Sequence, residues 1–332
     1  MPSKNDKTEP VLSRREFLIK AGVTGAIAMT VGVVAVASYS DRPMRRSQES
    51  TYTFKNYRVD PSALYPAMVI AHGKDVRKMV QAAFDKLGGL SRFIKPGDRV
   101  LIKPNVGWDR QPELAANTNP EVVGAVVALC LQGRASEVWV TDVSINDPYR
   151  SFARSGVEAA VLKAGGKVKF TTGDDFLQTD LKGEVLKLWP VCRYFHQVDK
   201  LINIPVLKHH SLSRCTLAMK NWYGVLGGSR NRLHQEINLS IADLANAIRP
   251  TLTVMDATRV LKRNGPTGGN ISDVEVANTI IAGVDEVAID AYSLRFLDLN
   301  VADVPFLGIA QAKGVGTTDL KSLNTHELNT GF

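Results

Sequence analysis

The feature that most limits the fold of this chain is the alternation of helical and strand-like segments from about residue 73 onward. Apolar strands are predicted at about 99–103, 137–141, 167–170, 200–206 and 251–255, with a further one at 279–283. Helices are predicted at about 73–87, 120–131 and 155–164, the second with Asn119 as its cap. This order predicts an α/β fold with a mainly parallel sheet covered by helices.

Polar segments follow three of the predicted strands, at residues 103–110, 208–214 and 256–269. In an open sheet of this type, ligands bind at the carboxyl ends of the strands, so we expect the ligand site at that edge. The sequence contains no G-x-G-x-x-G, Walker A, G-x-S-x-G or H-E-x-x-H motif. Dinucleotide-binding, P-loop, serine-hydrolase and zincin functions therefore lose their usual sequence support.

The amino-terminal segment has the composition of an export signal. Ser13-Arg14-Arg15-Glu16-Phe17-Leu18-Ile19-Lys20 precedes an apolar run over residues 21–37, which closes with Ala35-Val36-Ala37. This order is typical of a secretory signal, and its core resembles the twin-arginine signal, an address read by a receptor. An uncleaved membrane anchor is the alternative, but 17 residues barely span roughly 30 Å of hydrocarbon. Cleavage before Ser38 is therefore favoured.

The signal defines the expected organisation and location of the chain. We predict a twin-arginine signal peptide over residues 1–37, a flexible spacer over 38–60, and an α/β domain over 61–332 with room for two lobes. The expected partners are the twin-arginine translocation machinery and signal peptidase. The expected location is periplasmic or extracellular, or membrane-anchored if the signal stays uncleaved. The twin-arginine route carries folded cargo, often with an inserted cofactor, which raises the expectation of a bound cofactor.

Charge and cysteine usage narrow the classes of ligand. Removing residues 1–37, which hold five basic and three acidic residues, leaves 295 residues and lowers the net charge from +8 to +6. No Lys/Arg block in these 295 residues exceeds two, so we expect no nucleic acid and favour an anionic small molecule or an anionic membrane surface. Cys130, Cys192 and Cys215 lack iron–sulfur spacing, so no iron–sulfur cluster is expected. Cys130 lies in an apolar run, which predicts a core position. The sequence alone does not decide whether Cys192 and Cys215 form a disulfide.

The densest set of chemically active side chains lies between Lys208 and His234, with three of the six histidines of the chain. Neutral imidazoles bind metals or transfer protons near neutral pH, and a lysine among them holds an anion or forms a covalent link. Histidines in loops are more often plain polar surface, and Lys220 could equally belong to an amphipathic helix that Gly224 ends. The clustering directly after an apolar strand favours a site.

Several motifs in this region resemble a known family. The run from Asp199 through Lys208-x-His210, followed by Met219-Lys220-Asn221-Trp222-Tyr223-Gly224-Val225, resembles the uncharacterised family named domain of unknown function DUF362. Supporting matches are Lys103-Pro104-Asn105, Thr118-Asn119-Pro120-Glu121-Val122-Val123, Gly265-Pro266 and Asp285-Glu286-Val287-Ala288-Ile289-Asp290. Together the matches cover about residues 95–300. Some members of that family carry ferredoxin-type cysteine clusters, which this chain lacks.

The spacing of His210, Lys220 and His234 is also distantly similar to the lactate racemase family. The resemblance implies a lysine that tethers a nickel-pincer nucleotide, a histidine that ligates nickel, and histidines that act as acid and base. It therefore implies a metal or a nickel-pincer-like cofactor, with His210 and His234 as metal ligands. The Thr-Arg-Pro substrate stretch of that family is missing here, where residues 104–107 read Pro-Asn-Val-Gly.

We favour an exported soluble protein that has a cofactor or metal site. Its expected activity is proton or hydride transfer, as in an isomerase or an oxidoreductase. The catalytic residues we predict are His210, Lys220 and His234. The predicted cofactor- or ligand-binding residues are Lys103, Asn105, Lys208, Asn221 and Arg230. Two alternatives stay open: a non-catalytic periplasmic binding protein for an anionic small molecule, and a structural or assembly factor.

Overall fold

A computed structural model of the protein describes residues 51–60 and 62–331. The predicted export signal and the predicted spacer up to residue 50 lie outside the described residues. The strands are β1 (Met68–His72), β2 (Arg99–Pro104), β3 (Glu137–Val140), β4 (Lys167–Val168), β5 (Phe176–Asp180), β6 (Leu188–Cys192), β7 (Lys200–Ile204), β8 (Val206–His210), β9 (Arg214–Thr216), β10 (Leu252–Leu261), β11 (Val274–Gly283) and β12 (Thr325–Asn329). The α-helices are α1 (Val76–Lys86), α2 (Leu90–Phe93), α3 (Pro120–Gln132), α4 (Pro148–Arg154), α5 (Val157–Lys163), α6 (Ala218–Asn221), α7 (Ile237–Ala247), α8 (Glu286–Ser293) and α9 (Pro305–Ala312).

The central sheet follows the order β12-β1-β11-β10-β7-β2-β3-β4, with β8 beside β10 and β9 beside β8. The neighbours β10, β7, β2, β3 and β4 all run parallel, as do β1 and β12. The predicted mainly parallel sheet is therefore confirmed, and the five strands predicted at 99–255 are adjacent in it. The strand expected at 279–283 starts earlier, at Val274, and runs antiparallel to β1 and β10. β5 and β6 form a separate antiparallel pair.

Helices cover both faces of this sheet because its central strands are apolar on both faces. Val100 and Ile102 of β2 belong to a core that includes residues of α1, α3 and α5. Leu101, between them, belongs to a second core with residues of α6, α7, α8 and α9. Side chains alternate across a strand, so a run of consecutive apolar residues fills both layers, as expected for buried parallel strands.

The caps of the helices follow the sequence pattern. Asn119 caps α3, since its side chain accepts a hydrogen bond from the Glu121 backbone N–H at 3.0 Å, and Pro120 occupies the first turn. This arrangement satisfies one of the free N–H groups at the start of a helix. It also aims α3 away from the carboxyl end of β2, where Lys103 and Asn105 lie.

The segment after β7 differs from the sequence prediction. We expected one strand over 200–206 and a loop from Lys208, whereas Pro205 only interrupts the strand. β8 continues beside β10, with Asp256 opposite Val206, and then forms an antiparallel hairpin with β9. Pro205 has no backbone N–H to donate, but its carbonyl accepts the Asp256 N–H at 2.9 Å. Lys208 and His210 therefore lie on a strand beyond the end of β2, and the stretch 211–217 is not helical.

Residues 51–57 pack on the domain instead of forming part of a flexible spacer. Tyr52 pairs with Thr179, and the Tyr57 N–H donates to the Arg249 carbonyl at 3.0 Å. The Tyr57 ring is buried and its hydroxyl donates to the Phe195 carbonyl. The folded domain therefore begins before residue 61, because Tyr57 fills part of the core.

Two further observations concern the cysteines and the lengths of the helices. Cys130, Cys192 and Cys215 are all buried with free thiols, and Cys130 belongs to the core between the sheet and α3. Among the helices formed by residues 51–60 and 62–331, none is long and apolar enough to cross a membrane.

Candidate functional site

A pocket of about 280 Å³ opens where β2, β3 and β8 reach the carboxyl edge of the sheet. The short helix α6 and the 3-10 turns Trp222–Val225 and Arg230–His234 close its other sides. All eight residues assigned from sequence line this one pocket: Lys103, Asn105, Lys208, His210, Lys220, Asn221, Arg230 and His234. Their roles in catalysis, cofactor binding and metal binding stay predictions. The side chains differ in their hydrogen-bond partners, as described below for each.

A larger groove, of about 1000 Å³, lies between α1, α3 and α5. Its lining is made of helix side chains, and each of its charged residues is exposed. A solvated charge needs no ligand to neutralise it, so the smaller pocket at the sheet edge is the better candidate site.

Lys103, at the end of β2, is fully buried and fully satisfied. Its Nζ lies 2.8 Å from Asp142 Oδ1, 2.8 Å from the Pro104 carbonyl and 2.8 Å from Asn221 Oδ1. An ammonium has three N–H groups, so these acceptors use all of them. Burial lowers the pKa of Lys103, and Asp142 opposes that shift. Lys103 therefore holds the end of β2 to its neighbours and has no N–H left for a ligand.

Gly224 lies directly over this ion pair. A Cβ atom at this position would collide with Asp142 Oδ1 and with Lys103 Nζ. The Gly224 carbonyl also accepts the Val143 N–H at 2.8 Å. A glycine is required here because the backbone approaches the buried pair more closely than any side chain permits.

Lys208 of β8 is also satisfied by the protein itself. Its Nζ donates to Asn105 Oδ1 at 3.1 Å, to the Pro266 carbonyl at 3.2 Å and to the Ala116 carbonyl. Burial and, less strongly, nearby Lys220 lower its pKa to about 7. Because three neutral oxygens surround the group, Lys208 joins three loops at the pocket floor and offers little to a ligand.

Asparagine amides connect these lysines into one network. Asn221 Oδ1 accepts from Lys103 and from Asn105 Nδ2, the latter at 3.0 Å. Asn221 Nδ2 donates to Asn203 Oδ1 at 2.8 Å. Each amide oxygen and nitrogen is thus used within the network, which rigidifies the pocket floor. Asn105 and Asn221 are positioning residues in this geometry.

Helix α6, which carries Lys220, is held by a carboxylate from a distant helix. Asp290 of α8 accepts hydrogen bonds from the backbone N–H groups of Ala218 at 2.7 Å and Met219 at 3.1 Å. Burial raises the pKa of Asp290 well above its ordinary value. These two bonds set the position of α6 and therefore of the Lys220 side chain.

Glu286, one turn earlier on α8, reinforces the same position. Its carboxylate accepts from Asn203 Nδ2 at 2.6 Å, from Trp222 Nε1 at 3.0 Å and from Thr253 Oγ1 at 3.0 Å. Burial raises the pKa of this carboxyl group. Four side chains from four elements therefore converge beneath the pocket, and α6 has little freedom to move.

Lys220 is the exception among the basic side chains of the pocket. It is only 6% exposed, yet no oxygen of the described residues accepts a hydrogen bond from its Nζ. The Tyr223 ring lies beside this group, with its centre 4.1 Å from Nζ. Burial, with a further contribution from Arg230, lowers the pKa of Lys220 to about 8. A buried cation without an anionic partner is costly, so this group is suited to an anion that enters the pocket.

His210, at the end of β8, is held as a hydrogen-bond donor. Its Nδ1 accepts the backbone N–H groups of Leu212 at 3.1 Å and Ser213 at 3.4 Å. Because Nδ1 uses its lone pair, the neutral ring carries its proton on Nε2. Burial and the nearby Lys220 charge lower the pKa of His210 to about 2, which keeps the ring neutral.

His234 has the opposite tautomer. Its Nδ1 lies 3.1 Å from the Asn231 carbonyl, which only accepts, so Nδ1 carries the proton. The Nε2 lone pair is then free to act as a base or a ligand. Burial lowers the pKa of this half-buried ring, and the Lys220 charge lowers it further.

Arg230 fastens the pocket rim. Its guanidinium donates to the Val143 carbonyl at 2.7 Å, to the Ser144 carbonyl at 3.0 Å and to the Tyr223 carbonyl at 3.4 Å. The loop after β3 is thereby joined to the turn after α6. Arg230 contributes positive charge to the pocket, but most of its hydrogen-bonding capacity is directed at the backbone.

The donor set fits an anion better than a metal. Among residues 51–60 and 62–331, no group of three or more His, Cys, Asp or Glu side chains is placed to hold a metal ion. His210 presents an N–H rather than a lone pair, so the two-histidine metal site expected at His210 and His234 requires its turn to rearrange. The anionic part of a nucleotide cofactor fits Lys220, whereas nickel ligation does not fit His210 as it stands.

Sequence reasoning missed several residues that build the site. Asp142 lies two residues beyond the end of β3, so the rule that identified Lys103 at a strand end also applies to it. Glu286 and Asp290 lie in a stretch that resembles the DUF362 family, but their role depends on α8 packing against α6. Tyr223 lies in a stretch that resembles the DUF362 family, but no sequence pattern indicates that its ring lies beside the Lys220 ammonium.

Comparison with known proteins adds relatives of this arrangement. A thylakoid-associated protein of Synechocystis sp. is 28% identical over 256 residues, which cover 72% of this chain and 75% of that protein. The lactate racemase apoprotein of Thermoanaerobacterium thermosaccharolyticum is similar in structure with a TM-score of 0.41 and 9% identity, over 74% of this chain and 60% of the racemase. A structural-genomics protein from Thermotoga maritima has a TM-score of 0.35 and 11% identity, over 71% of this chain and 58% of that one.

The chain thus spans less than two thirds of either structural neighbour. The description of the fold rests on the order and register of the strands given above. The model of one family, the domain of unknown function DUF362, matches residues 100–295, a region that contains every residue of the pocket. The chain therefore belongs to the DUF362 family.

Proposed function

We propose that this pocket binds an anionic small molecule, a substrate or a cofactor, and that Lys220 is its main electrostatic partner. The observation that carries the proposal is the Lys220 ammonium, which is buried, lines the pocket and lacks an acceptor among the described residues. Four basic side chains and one acidic side chain line the pocket, so its net charge also favours an anion.

The neighbouring lysines strengthen this assignment by contrast. Lys103 and Lys208 each meet three oxygen acceptors from the protein. Residues 51–60 and 62–331 therefore supply oxygen acceptors for two lysine ammonium groups at this edge and none for the third. The tyrosine ring beside Lys220 offsets about 2 kcal/mol at most, which is less than the several kcal/mol that desolvating a charge costs.

Binding is tested with small anions of known charge. Isothermal titration calorimetry with acetate and inorganic phosphate should give saturable binding to the wild-type protein. The variant Lys220→Met should bind at least about tenfold more weakly, because it loses the cation for which the described residues supply no oxygen acceptor. Lys95→Met, which changes an exposed lysine outside the pocket, serves as the matched control. Equal affinities for the wild type and Lys220→Met would overturn the proposal and favour a structural or assembly role.

The same pocket supports proton transfer as a second function. His234 Nε2 has a free lone pair, and Lys220 titrates near pH 8, so a base and an acid line one cavity. His210, fixed as a donor, would orient the bound anion. NMR in D₂O tests this function through the exchange of acidic C–H protons in organic acids that bind. His234→Gln should slow the exchange at least about a hundredfold without weakening binding, and exchange at the uncatalysed rate in the wild type would exclude this function.

We further propose that the protein is exported by the twin-arginine route. The support is the sequence around Arg14 and Arg15 and the Ala35-Val36-Ala37 cleavage site. Changing both arginines to lysine should leave the precursor in the cytoplasm, as measured by cell fractionation. The amino terminus of the exported wild-type protein should be Ser38. An exported protein that still begins at Met1 would favour an uncleaved anchor instead.

A further inference from the structure

The mouth of the pocket carries large apolar side chains that the domain does not need for its core. Ile145, in the loop after β3, is 56% exposed, and Leu212, in the β8–β9 turn, is 61% exposed. Both line the pocket, together with Trp108 and Val143. Single exposed apolar residues are common on proteins, but two from separate elements that border one small cavity form a patch.

This apolar rim is held in place by the same residues that form the polar site. The Ile145 N–H donates to the Gly107 carbonyl at 2.9 Å, and Arg230 binds the carbonyl that precedes this residue at 3.0 Å. The Leu212 N–H donates to His210 Nδ1 at 3.1 Å. The backbone segments that carry these two apolar side chains are therefore fixed relative to the pocket before any ligand binds, which reduces the entropy lost on binding.

The free donors inside the pocket favour a carboxylate as the charged group. Lys220 supplies one cation, and the Nε2–H of neutral His210 supplies one further donor. A carboxylate has two oxygens and one negative charge, which match these two groups. A phosphate dianion would need more cationic donors, and those of Lys103 and Lys208 are already used.

From these observations we infer that the ligand is a compact amphipathic carboxylate. Its carboxylate lies at Lys220 and His210, and its apolar body, a single ring or a short branched chain, lies between Ile145 and Leu212. The pocket volume of about 280 Å³ is just below the range of roughly 300–1,000 Å³ that is typical of drug-sized ligands, which limits the body to this size. This inference rests on the anion-binding function proposed above.

A series of ligands with one charged group and different bodies tests the inference. Calorimetry compares acetate, isovalerate and phenylacetate with the neutral 2-phenylethanol and with inorganic phosphate. In the wild type, phenylacetate and isovalerate should bind about tenfold or more tightly than acetate, since each buries the equivalent of two or more methylene groups. The neutral alcohol and phosphate should bind more weakly than phenylacetate.

Variants separate the two parts of the site. Ile145→Ser with Leu212→Ser should abolish the preference for phenylacetate over acetate while acetate binding is retained. Ile271→Ser, which changes a residue that is also 61% exposed but lies outside the pocket, should leave both affinities unchanged. Circular dichroism and the acetate affinity together show that the rim variant is folded.

Each outcome has a defined meaning. If acetate, phosphate and phenylacetate bind equally, or if the rim variant keeps the preference, the amphipathic inference is wrong and anion binding at Lys220 stands. If no anion binds the wild type, both proposals fail. If the rim substitutions change the oligomeric state in gel filtration and leave ligand preference intact, the apolar rim is an interface between copies of the chain.

Discussion

Replacing Lys220 by methionine should stabilise the folded protein near neutral pH, because it removes a buried charge that no described residue neutralises. Burial lowers the pKa of Lys220 from 10.5 to about 8 in the folded state. Each pKa unit corresponds to 1.36 kcal/mol, so the charged side chain costs the fold about 3 kcal/mol at pH 7. Methionine has a similar length and no charge, which preserves most of the packing.

The dependence on pH identifies the cause. Below pH 8 Lys220 is protonated in both the folded and the unfolded chain, so its cost is constant. Between about pH 8 and 10.5 the unfolded chain still binds the proton and the folded protein does not, so the wild type gains stability as pH rises. The advantage of Lys220→Met should therefore be about 3 kcal/mol at pH 7 and shrink as the pH approaches 10.5.

Urea denaturation followed by tryptophan fluorescence measures this difference, since Trp222 is fully buried beside the site. The measurement is made at pH 7.0 and again at about pH 10, with Lys95→Met as a control that should stay within about 0.5 kcal/mol of wild type at both values. Lys220→Met proving less stable than wild type at pH 7, or a difference that does not change with pH, would refute the reasoning.

Two further predictions concern the ion pair beneath Gly224. Gly224→Ala should lower the free energy of unfolding by about 1–3 kcal/mol in urea denaturation, because its Cβ collides with Asp142 and Lys103; an alanine variant as stable as wild type would show that the backbone can shift. Lys103→Met should cost about 3–5 kcal/mol by leaving Asp142 buried and unpaired, whereas the double variant with Asp142→Asn should lose less than the sum of the single changes. Additive single changes would contradict a direct interaction between the two side chains.

Much of the fold could be predicted because its central strands contain runs of consecutive apolar residues. Consecutive buried residues such as Val100, Leu101 and Ile102 predict a strand covered on both faces, and the structure places them in two cores. The position of the site followed from the same argument, since parallel strands end at one edge. Lys103 and Lys208, which are 105 residues apart in the sequence, line the same pocket for this reason.

Other parts depend on contacts that no local pattern encodes. The segment Val206–His210 contains a lysine and two histidines, which local propensity assigns to a loop. It forms a strand because the ten-residue strand β10 continues beyond β7 and pairs with this segment at Asp256 and Leu261. The role of Asp290 likewise depends on α8 packing against α6, 72 residues earlier in the chain.

The sequence also could not predict which of the three lysines have hydrogen-bond acceptors within the protein. From the sequence, Lys103, Lys208 and Lys220 are all candidates to bind an anion. Residue type and predicted position do not show how many hydrogen-bond acceptors surround each ammonium group. Only the structure shows that the first two are saturated. In this geometry both lysines hold the pocket floor in place, and their role in ligand binding stays a prediction.

The arrangement of these lysines explains why the site can be both rigid and ready to bind. Lys103 lies near the end of β2 and Lys208 in the middle of β8, and backbone carbonyls and asparagine side chains accept hydrogen bonds from both. Lys220 lies on a short helix whose position is fixed from below by Asp290. The acceptors that the described residues provide are used on the pocket floor, and none of them accepts a hydrogen bond from the Lys220 ammonium, which lines the pocket. An anion that binds there meets a preorganised cation and needs no rearrangement of the floor, so the stability lost in the free protein is recovered as affinity.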